Sequence, residues 1–545
     1  MPRMQLRVCA LVLLSPPLVL AQFRGPSSTA DAYVVPSAPG VVTRSILTVG
    51  DSVNNGPGGG PYRLVGAPDG LGAYLNADGQ TFELLANHEL SSGTGVVRLH
   101  GANGAFVSRW QINRATLQVV HGADVITGVR LWSPAAGAYQ SGTTSFARFC
   151  SADLAAPAAF SNGAEGSIER IFLNGEENGT SGRAFAHMLT GADAGISWEL
   201  PRLGKIAHEN VVASPVGGAK TIVITTDDST PGQVYLYVGF KNAAGTDIER
   251  AGLNNGVLFG VRVSGVATEN RAAPPAAGTR FDLVNLGNVS SVSGTLLDSL
   301  SRSNGVTDFL RPEDGAWDPS TPTDFYFTTT DRFNTLKDAG TPAGQGGATR
   351  VYRLRFDDIA TPETGGTITC IIDGGAAGVP GQMFDNIAID RRGNILIQED
   401  PGNQTYRSRI WSHDIATGVR TQVAEVDPRF FSTGGANFLT TNEETSGIVD
   451  AGDALGPGWF IFTVMAHYSI AGELVEGGQL AALFNPASAP PCPGDLNGDR
   501  TVDSGDLGIL LSAWNATAAG DLNGDAQTNQ ADLGVLLGAW QATCP

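Results

Sequence analysis

Residues 384–423 read FDNIAIDRRGNILIQEDPGNQTYRSRIWSHDIATGVRTQV, and this stretch decides the fold. Short β-branched or aromatic runs alternate in it with turn signals at residues 391–393 (RRG) and 417–418 (TG). The pattern predicts strand, tight turn, strand, loop, strand, turn and strand. Four antiparallel strands within about 40 residues are typical of one blade of a β-propeller.

The rest of the body has the same character. Residues 71–90, LGAYLNADGQTFELLANHEL, repeat the first half of this unit. Other short apolar runs are separated by turn-forming residues, in keeping with the 71 Gly and 30 Pro of the chain, and helical periodicity is almost absent before the C-terminal segment. The sequence therefore predicts an all-β fold, a β-propeller over residues 22–488, with six blades favoured. Seven blades or a pair of β-sandwiches are the alternatives.

Acidic residues stand where the predicted strands end. In a propeller, equivalent strand ends converge at one end of the central channel, so their carboxylates would face one another. Such a cluster repels itself unless a cation neutralises it, which predicts a metal site in the body. The alternative is that these residues close turns or hold calcium at single blades. The acidic strand ends are Glu89, Glu176, Glu177, Asp227, Asp228, Asp331, Glu399 and Asp400.

Two similar loops, each followed by an apolar run that predicts a short helix, occupy residues 492–545. Oxygen-bearing side chains recur along each loop at the spacing that Ca²⁺ sites use. An ordinary EF-hand has Glu at the last loop position, whereas both loops here have Asp, and no helix is predicted before either loop. The predicted calcium ligands are Asp495, Asn497, Asp499, Thr501, Asp503 and Asp506, and then Asp521, Asn523, Asp525, Gln527, Asn529 and Asp532.

This pair of loop–helix repeats resembles a type I dockerin, and the resemblance covers only residues 492–545. Dockerins bind cohesin modules, so the resemblance implies a cohesin-type partner. A calcium-stabilised tail without a partner is the alternative. A twofold repeat brings its ends together, which favours a disulfide between Cys492 and Cys544. Cys150 and Cys370 either pair or remain free thiols.

The N-terminus has the pattern of a secretory signal. Arg3 and Arg7 flank the start of an apolar run that ends in a small-residue cleavage pattern at Ala21. The run is too short to span a bilayer, and no other stretch reaches membrane-spanning length. We therefore expect residues 1–21 to be removed and the mature chain to be secreted: extracellular, on the cell surface or periplasmic. The net charge of −19 argues against a nucleic-acid partner.

Five short motifs are spread over nearly the whole body: NHEL (87–90), LNGEENG (173–179), LGKIAHENVV (203–212), RPEDGAWDP (311–319) and FDNIAIDRRGNILIQEDPGN (384–403). In content and order they resemble the PhoX-type alkaline phosphatase family, as a divergent branch of it. That family consists of exported, propeller-shaped phosphomonoesterases with an iron pair and calcium ions at the channel mouth. The resemblance implies a secreted, metal-dependent hydrolase of small phosphoric monoesters.

The resemblance also implies roles for single residues. Arg311 would grip the phosphate and Glu313 would bind metal, and these are the candidate catalytic residues. Bound metal would withdraw charge from the phosphoryl oxygens, and Arg311 would add a fixed fork of donors. The motifs and the acidic strand ends together give the candidate metal ligands of the body: Glu89, Glu176, Glu177, Glu209, Glu313, Asp314, Asp385 and Asp400.

One position departs from the family pattern. As we align the motifs, an iron-binding Cys should precede the Glu-Glu-Asn element, where this chain has Gly175. Without a thiolate, hard oxygen ligands favour Ca²⁺ over iron. Calcium is therefore the metal expected in the body and in the tail, and Gly175 argues against iron.

His88 and His208 each precede a candidate ligand. Because neighbours on a strand point to opposite faces, we expect both histidines to pack or to orient other groups. Three functions stay open: a phosphoric-ester hydrolase displayed through the tail, a non-catalytic calcium-stabilised propeller that binds a protein or polymer at the cell surface, and a glycan-processing enzyme. The last needs a pair of carboxylates at a set separation, and no local motif supplies one.

Overall fold

The structure, a computed structural model, describes residues 21–54, 60–331, 349–374, 376, 379–404, 406–497, 501–523 and 527–542. Residues 1–20, nearly all of the predicted signal segment, lie outside these ranges. The described chain is mostly β-structure, as predicted. None of its described helices has the length and apolar character needed to pass through a bilayer.

The elements are short and follow one another closely. The strands of the first part of the chain are β1 (Ala21–Phe23), β2 (Val34–Pro36), β3 (Val42–Thr48), β4 (Ser52–Val53), β5 (Tyr62–Arg63), β6 (Pro68–Leu75), β7 (Thr81–His88), β8 (Phe106–Asn113), β9 (Val119–Asp124), β10 (Gly128–Ser133), β11 (Ala138–Gly142), β12 (Phe149–Asp153), β13 (Ser161–Asn162), β14 (Glu165–Gly166), β15 (Ile171–Glu176), β16 (Ala184–Met188) and β17 (Ile196–Glu199).

The later strands are β18 (His208–Ala213), β19 (Lys220–Asp227), β20 (Val234–Phe240), β21 (Val257–Val263), β22 (Thr279–Gly287), β23 (Pro312–Trp317), β24 (Asp324–Thr329), β25 (Arg350–Phe356), β26 (Gly366–Asp373), β27 (Phe384–Ile389), β28 (Asn394–Glu399), β29 (Arg409–Asp414), β30 (Arg420–Val426), β31 (Glu443–Asp450), β32 (Trp459–Ile470) and β33 (Val475–Phe484). The α-helices are α1 (Asp247–Arg250), α2 (Gly294–Ser303), α3 (Pro428–Phe431), α4 (Gly452–Leu455), α5 (Ser504–Ala513) and α6 (Gln530–Gly538).

The stretch that opened the sequence analysis forms the four antiparallel strands predicted for it, β27 to β30. Its two tight turns contain Gly393 and Gly418, with φ of +81° and +73°. Glycine adopts this left-handed conformation without the steric penalty that a Cβ brings. The short strand β2 adds to the outer edge of the sheet.

Within the described residues, the body contains six such meanders of four strands. They are β6 to β9; β12 with β15 to β17; β18 to β21; β23 to β26; β27 to β30; and β31 to β33 with β3. β22 joins the third meander to the fourth, and β10 and β11 extend the second. The last meander is completed by the N-terminal strand β3, where Val42 pairs with Phe484. The two ends of the body are therefore held in one sheet.

The first strands of the six meanders contact one another in a closed cycle, in the order β6, β12, β18, β23, β27, β31 and back to β6. Hydrophobic core fills the spaces between neighbouring sheets. For example, Leu396 and Ile410 of the fifth meander pack with Phe462 and Leu483 of the sixth. This arrangement brings equivalent ends of the six first strands to one place.

Helix α2 is an exception to the expectation that the body lacks helices. Ser293 caps it, because its Oγ accepts a hydrogen bond from the N–H of Leu296. Leu297 and Ser301 are buried on one face, whereas Leu296 and Leu300 are exposed on the other. Two of its three leucines therefore face solvent, so its apolar residues do not mark the face that is buried.

Candidate metal centre

The first two strands of each described meander share one hairpin register. In β6 and β7, Pro68 pairs with His88, and the next residue, Glu89, donates its N–H to the Ala67 oxygen at 2.9 Å. The other five hairpins repeat this bond at 2.8 to 3.0 Å, so that equivalent residues recur at the same end of each one. The donors there are Glu177, Asp228, Thr330, Asp400 and His467.

Five of these six hairpins have a one-residue bulge directly after the first pair of the first strand. A bulge re-aims the neighbouring side chains, and the second residue of every first strand lines a single cavity. These six residues are Asp69, Cys150, Glu209, Glu313, Asp385 and Glu444. In four hairpins the residue after the second strand also lines it, as Glu89, Glu177, Asp228 and Asp400.

The side-chain atoms of this cavity are close enough to share metal ions. Carboxylate oxygens and the Cys150 Sγ fall into four groups of three, with the atoms of each group within 4.8 Å of one another. Successive groups are linked, because Cys150, Glu209 and Asp385 each belong to two of them. The groups are Asp69–Glu89–Cys150, Cys150–Glu177–Glu209, Glu209–Glu313–Asp385 and Asp385–Asp400–Glu444.

Two guanidinium groups contact the carboxylates of the cavity. Arg148 Nε donates to Glu89 Oε1 at 2.6 Å. Arg311 Nε donates to Asp228 Oδ1 at 2.9 Å, and its Nη2 lies 2.8 Å from Glu313 Oε1. These two cations face nine carboxyl groups, so the lining is strongly acidic.

Burial and mutual repulsion raise the pKa of most of these carboxyls. Burial, together with the Glu89 charge, raises the pKa of Asp69 to about 7. Burial, with the charges of Asp69 and Asp228, raises the pKa of Glu209 to about 8. Burial also opposes ionisation of Asp228, but the Arg311 guanidinium holds its pKa below the ordinary value. Burial first, and then neighbouring charges, also place the pKa well above its usual range at Glu177, Glu313, Asp385 and Glu444.

This donor set fits metal ions. Glu313 Oε1 is buried and has no hydrogen-bond partner, although Arg311 is within ion-pair distance. Carboxylate oxygens suit hard cations such as Ca²⁺, whereas a thiolate favours softer transition metals. The two groups that contain Cys150 therefore suit a metal such as iron, and the two groups that contain only oxygen ligands suit calcium.

Two of the eight candidate body ligands lie outside the cavity. Glu176 accepts hydrogen bonds from Arg183 at 2.7 and 2.8 Å. Asp314 accepts hydrogen bonds from one side chain and two backbone N–H groups. Successive residues of an extended chain point to opposite sides, so each is turned away when its neighbour enters the cavity. The six candidates that the structure does bring together are Glu89, Glu177, Glu209, Glu313, Asp385 and Asp400.

Fewer of the acidic strand ends reach the cavity than predicted. Asp331 does not line the cavity and forms an ion pair with Arg271 at 2.7 Å. Asp227 and Glu399 are the last residues of β19 and β28, and only the residues that follow them reach the cavity. In these hairpins the side chain that reaches the cavity is therefore that of the residue directly after the second strand.

The premise of the argument against iron, a site without a thiol, does not hold, and the identity of the metal stays a prediction. A Cβ at Gly175 would lie 2.2 Å from the His208 Cβ, so no cysteine fits at that position. The cavity obtains its thiol from Cys150, whose Sγ lies 3.2 Å from Glu177 Oε2. Cys150 and Cys370 are both free cysteines.

The sequence patterns assigned no metal-binding or catalytic role to Asp69, Arg148, Cys150 and Glu444, which line the cavity. They lie where first strands begin, whereas the acidic residues were predicted from the ends of strands. A signal was present, because an acidic or thiol residue is the second residue of each first strand. The triplets are PDG (68–70), FCS (149–151), HEN (208–210), PED (312–314), FDN (384–386) and EET (443–445).

The histidines behave as packing and orienting groups, as predicted. His88 is fully buried and stacks on Phe106, with ring centroids 4.2 Å apart. His208 is also fully buried and hydrogen-bonded within its hairpin. His467 was not predicted to act at the site. Its Nε2 lies 3.8 Å from Glu444 Oε2, within ion-pair distance, and its Nδ1 lies 2.8 Å from Glu476 Oε1.

The two C-terminal loops repeat each other in structure. Asp506 Oδ1 accepts a hydrogen bond from the N–H of Leu496 at 2.6 Å, and its Oδ2 accepts one from Asp503 at 2.8 Å. Asp532 accepts the two equivalent bonds of the second loop, both at 2.7 Å. Helices α5 and α6 start directly after the loops and contact each other. In each loop the last predicted ligand therefore holds the loop closed.

Part of the predicted tail lies outside the described residues, namely Asp499, Asp525 and Cys544. Cys492 is disulfide-bonded. The remaining predicted calcium ligands belong to the described loops.

In the metal-stripped chain, stability is expected to fall between about pH 6.5 and about pH 8.5. The pKa values of Asp69 and Glu209, about 7 and about 8, exceed those of an unfolded chain, so the folded state binds more protons in this window. Buried histidines have lowered pKa values and act oppositely, but only below about pH 6.5. Thermal melts with a chelator at the two pH values measure the change, and added calcium and iron should restore the melting temperature at the higher pH. An equal or higher melting temperature at the higher pH without metal would contradict it.

Comparison with known proteins supports one of the three functions considered above. Residues 197–448 match the family model of the alkaline phosphatase PhoX. This segment contains four of the six first strands, β18, β23, β27 and the beginning of β31. No curated protein sequence matches the chain.

Solved structures give a similar result. PhoX of Pseudomonas fluorescens in complex with vanadate, a transition state analogue, is similar with a TM-score of 0.60 at 14% identity, covering 86% of this chain and 98% of that one. A gluconolactonase of Xanthomonas campestris aligns with a TM-score of 0.30 at 10% identity, covering 80% of this chain and 90% of that one. The likeness to PhoX shows a shared fold, and with the family match it supports a phosphatase hydrolase.

Proposed function

We propose that the chain is a secreted, metal-dependent hydrolase of phosphoric monoesters. One observation carries this proposal: nine carboxyl groups and one thiol line a single cavity together with two arginines. Such a cluster is stable in its ionised form only with cations present, and an arginine beside it is suited to a phosphoryl group. The family match over residues 197–448 points to the same reaction.

The same cavity suggests which residues hold which metal. Cys150, Glu177 and Glu209, with Asp69 and Glu89, would hold the iron pair, and the oxygen-only groups would hold calcium. When bound, these metals withdraw charge from the phosphoryl oxygens and lower the pKa of a bound water. Arg311 binds the phosphoryl oxygens through the N–H donors that its contacts with Asp228 and Glu313 leave free. Neighbouring side chains would position these ligands. Ser446 donates a hydrogen bond to Asp69, Ser151 donates one to Glu209, and His467 lies beside Glu444.

The size of the cavity limits what part of a substrate can enter. Its volume is about 50 Å³ and its lining is almost wholly polar. A small, polar space of this kind suits the charged phosphoryl group rather than the organic part of an ester. We therefore expect activity on phosphoric monoesters with varied leaving groups.

We further propose a six-bladed propeller for the body and a dockerin-like role for the tail. The closed cycle of six first strands supports the blade count. The two structurally equivalent loops, closed by Asp506 and Asp532, support calcium binding and docking on a cohesin-type module. The signal-like residues 1–21 support export.

The alternative of a non-catalytic calcium propeller has lost its main support. That support was the missing thiol at Gly175, and Cys150 now supplies a thiol to the cavity. The cavity also retains the arginine and the carboxylates that the hydrolase needs. No described feature favours a glycan-processing enzyme.

The proposal predicts that the purified full-length chain, loaded with iron and calcium, hydrolyses p-nitrophenyl phosphate. Chelation should abolish the activity, metal should restore it, and vanadate should inhibit it. A matched variant with Asp506→Asn and Asp532→Asn should keep the activity, because it alters only the tail. Failure to release phosphate from several monoesters after metal loading would contradict the proposal.

A further inference from the structure

The described lining of the cavity contains two cationic side chains, Arg148 and Arg311. The sequence motifs assign a phosphate-binding role to Arg311 only. The position of Arg148 in the fold, its contacts and its exposure bear on whether it has the same role.

Arg148 and Arg311 occupy the same structural position in two hairpins. Each immediately precedes a first strand, and each has a left-handed backbone, with φ of 44° and 57°. Ala67 and Met383 hold the equivalent position in two other hairpins, both with φ of 48°. The conformation therefore recurs in four of the six described hairpins, and two of them place a side chain from this position in the lining of the cavity. In both of these hairpins that side chain is a guanidinium.

The two arginines also make matching contacts. Arg148 reaches Glu89 through Nε and Nη2 and contacts Glu177 through Nη2. Arg311 reaches Asp228 and Glu313 through the same two nitrogens. Among the described residues, neither Nη1 has a protein partner at the cavity. Each guanidinium thus bridges two carboxylates and keeps donors for a further anion.

The two arginine side chains are more exposed to solvent than the carboxylates that they contact. The side chain of Arg148 is 45% exposed and that of Arg311 is 25% exposed, whereas the four carboxylates they contact are only 2% to 9% exposed. An anion that enters the cavity therefore meets the guanidinium groups first. This order matters because a carboxylate surface by itself repels a phosphate dianion.

The carboxylates that the two arginines contact have a common neighbour. Arg148 contacts Glu177 and Arg311 contacts Glu313, and each of these glutamates has an oxygen within 4.8 Å of a Glu209 oxygen. The two guanidinium groups therefore lie on either side of the Glu209 carboxylate.

We propose that Arg148 is a second anion-binding residue of the site, and that Arg148 and Arg311 hold the phosphoryl oxygens of the substrate from two sides. This inference rests on the proposed function and narrows it. Each Nη1 keeps two N–H donors for the terminal oxygens, and two positive charges match the double negative charge of a monoester better than the single charge of a diester.

The test compares Arg148→Ala and Arg148→Lys with the wild-type chain, all loaded with iron and calcium. Arg183→Ala is the matched control, because Arg183 pairs with Glu176 outside the cavity. The measurements are kcat and KM for p-nitrophenyl phosphate, the inhibition constant of inorganic phosphate, and the metal content of each variant.

Arg148→Ala is expected to raise KM and the phosphate inhibition constant about 10- to 100-fold, with a much smaller change in kcat, because charge-assisted hydrogen bonds to the anion are lost. Arg148→Lys should recover only part of the affinity, because it keeps the charge without the fork. Arg183→Ala should leave both constants unchanged.

An unchanged phosphate inhibition constant in an Arg148 variant with wild-type metal content would overturn the inference. If Arg148→Ala loses metal, the phosphate inhibition constant of Arg148→Lys tests the inference instead, because lysine retains a positive charge beside Glu89 and Glu177. Absence of hydrolysis by the wild-type chain would count against the proposed function instead. Phosphate binding by the metal-loaded variants, measured by calorimetry, then decides the role of Arg148 by itself.

Discussion

Glu209→Gln is expected to lower the hydrolysis of phosphoric monoesters by more than about 100-fold. Glu209 belongs to both the Cys150–Glu177 group and the Glu313–Asp385 group, so it links the thiol end of the cavity to the oxygen-only end. Glutamine keeps the shape but removes the charge and one ligand oxygen, and so weakens both groups. Loss of a residue that only supports a metal ligand already lowers metal affinity or activity by about 10- to 100-fold. Steady-state kinetics and the metal content per chain measure the effect.

Glu176→Gln is the matched control for this prediction. Glu176 is also an acidic strand end, but it pairs with Arg183 outside the cavity. We expect this variant to keep its metal content and activity, with a lower melting temperature because a partly buried ion pair is lost. If Glu209→Gln instead kept more than about a tenth of the activity with full metal content, Glu209 would have no place in the metal centre.

Cys150→Ser should remove iron selectively and most of the activity with it. The thiol is the soft donor in two of the four groups, and a hydroxyl binds iron far less well than a thiolate does. Burial first, and then the nearby carboxylates, raise the pKa of the Cys150 thiol well above its usual range, so only a bound metal would hold it as thiolate. Serine is close in size, and the fold should be retained. We expect iron content to fall while the calcium content of the chain stays nearly constant.

Cys370→Ser serves as the control here, since Cys370 is also a free cysteine but does not line the cavity. It should leave iron content and activity unchanged. Wild-type iron content in Cys150→Ser would show that the iron ligands lie elsewhere.

The fold could be predicted in part because local patterns determine it. The alternation and the glycine turns of residues 384–423 require four antiparallel strands, and the structure contains them. Completion of the last sheet by β3 could not be read in the same way. That pairing joins Val42 to Phe484, and no local pattern relates two strands so far apart in the chain.

The residues of the candidate site could be predicted only where an acidic strand end or a family motif marks them in the sequence. Glu89, Glu177 and Asp400 follow strands and were found as acidic strand ends, and Glu209 and Glu313 were found through family motifs. Asp69, Cys150 and Glu444 were missed because a bulge or a strand start, rather than a strand end, brings them into the cavity. Gly175 suggested a cavity without a thiol for a related reason. The sequence does not display the packing that brings Cys150 into the cavity and closes the space around Gly175 with His208.

The most direct measurement is anomalous X-ray diffraction at the iron edge, from crystals of the full-length chain loaded with iron and calcium. The predicted result is an iron signal in the cavity next to Cys150, with calcium at the Glu209–Glu313–Asp385 and Asp385–Asp400–Glu444 groups and further calcium in the C-terminal loops. A cavity without iron, in crystals whose C-terminal loops hold calcium, would contradict the assignment of the cluster as the catalytic metal centre.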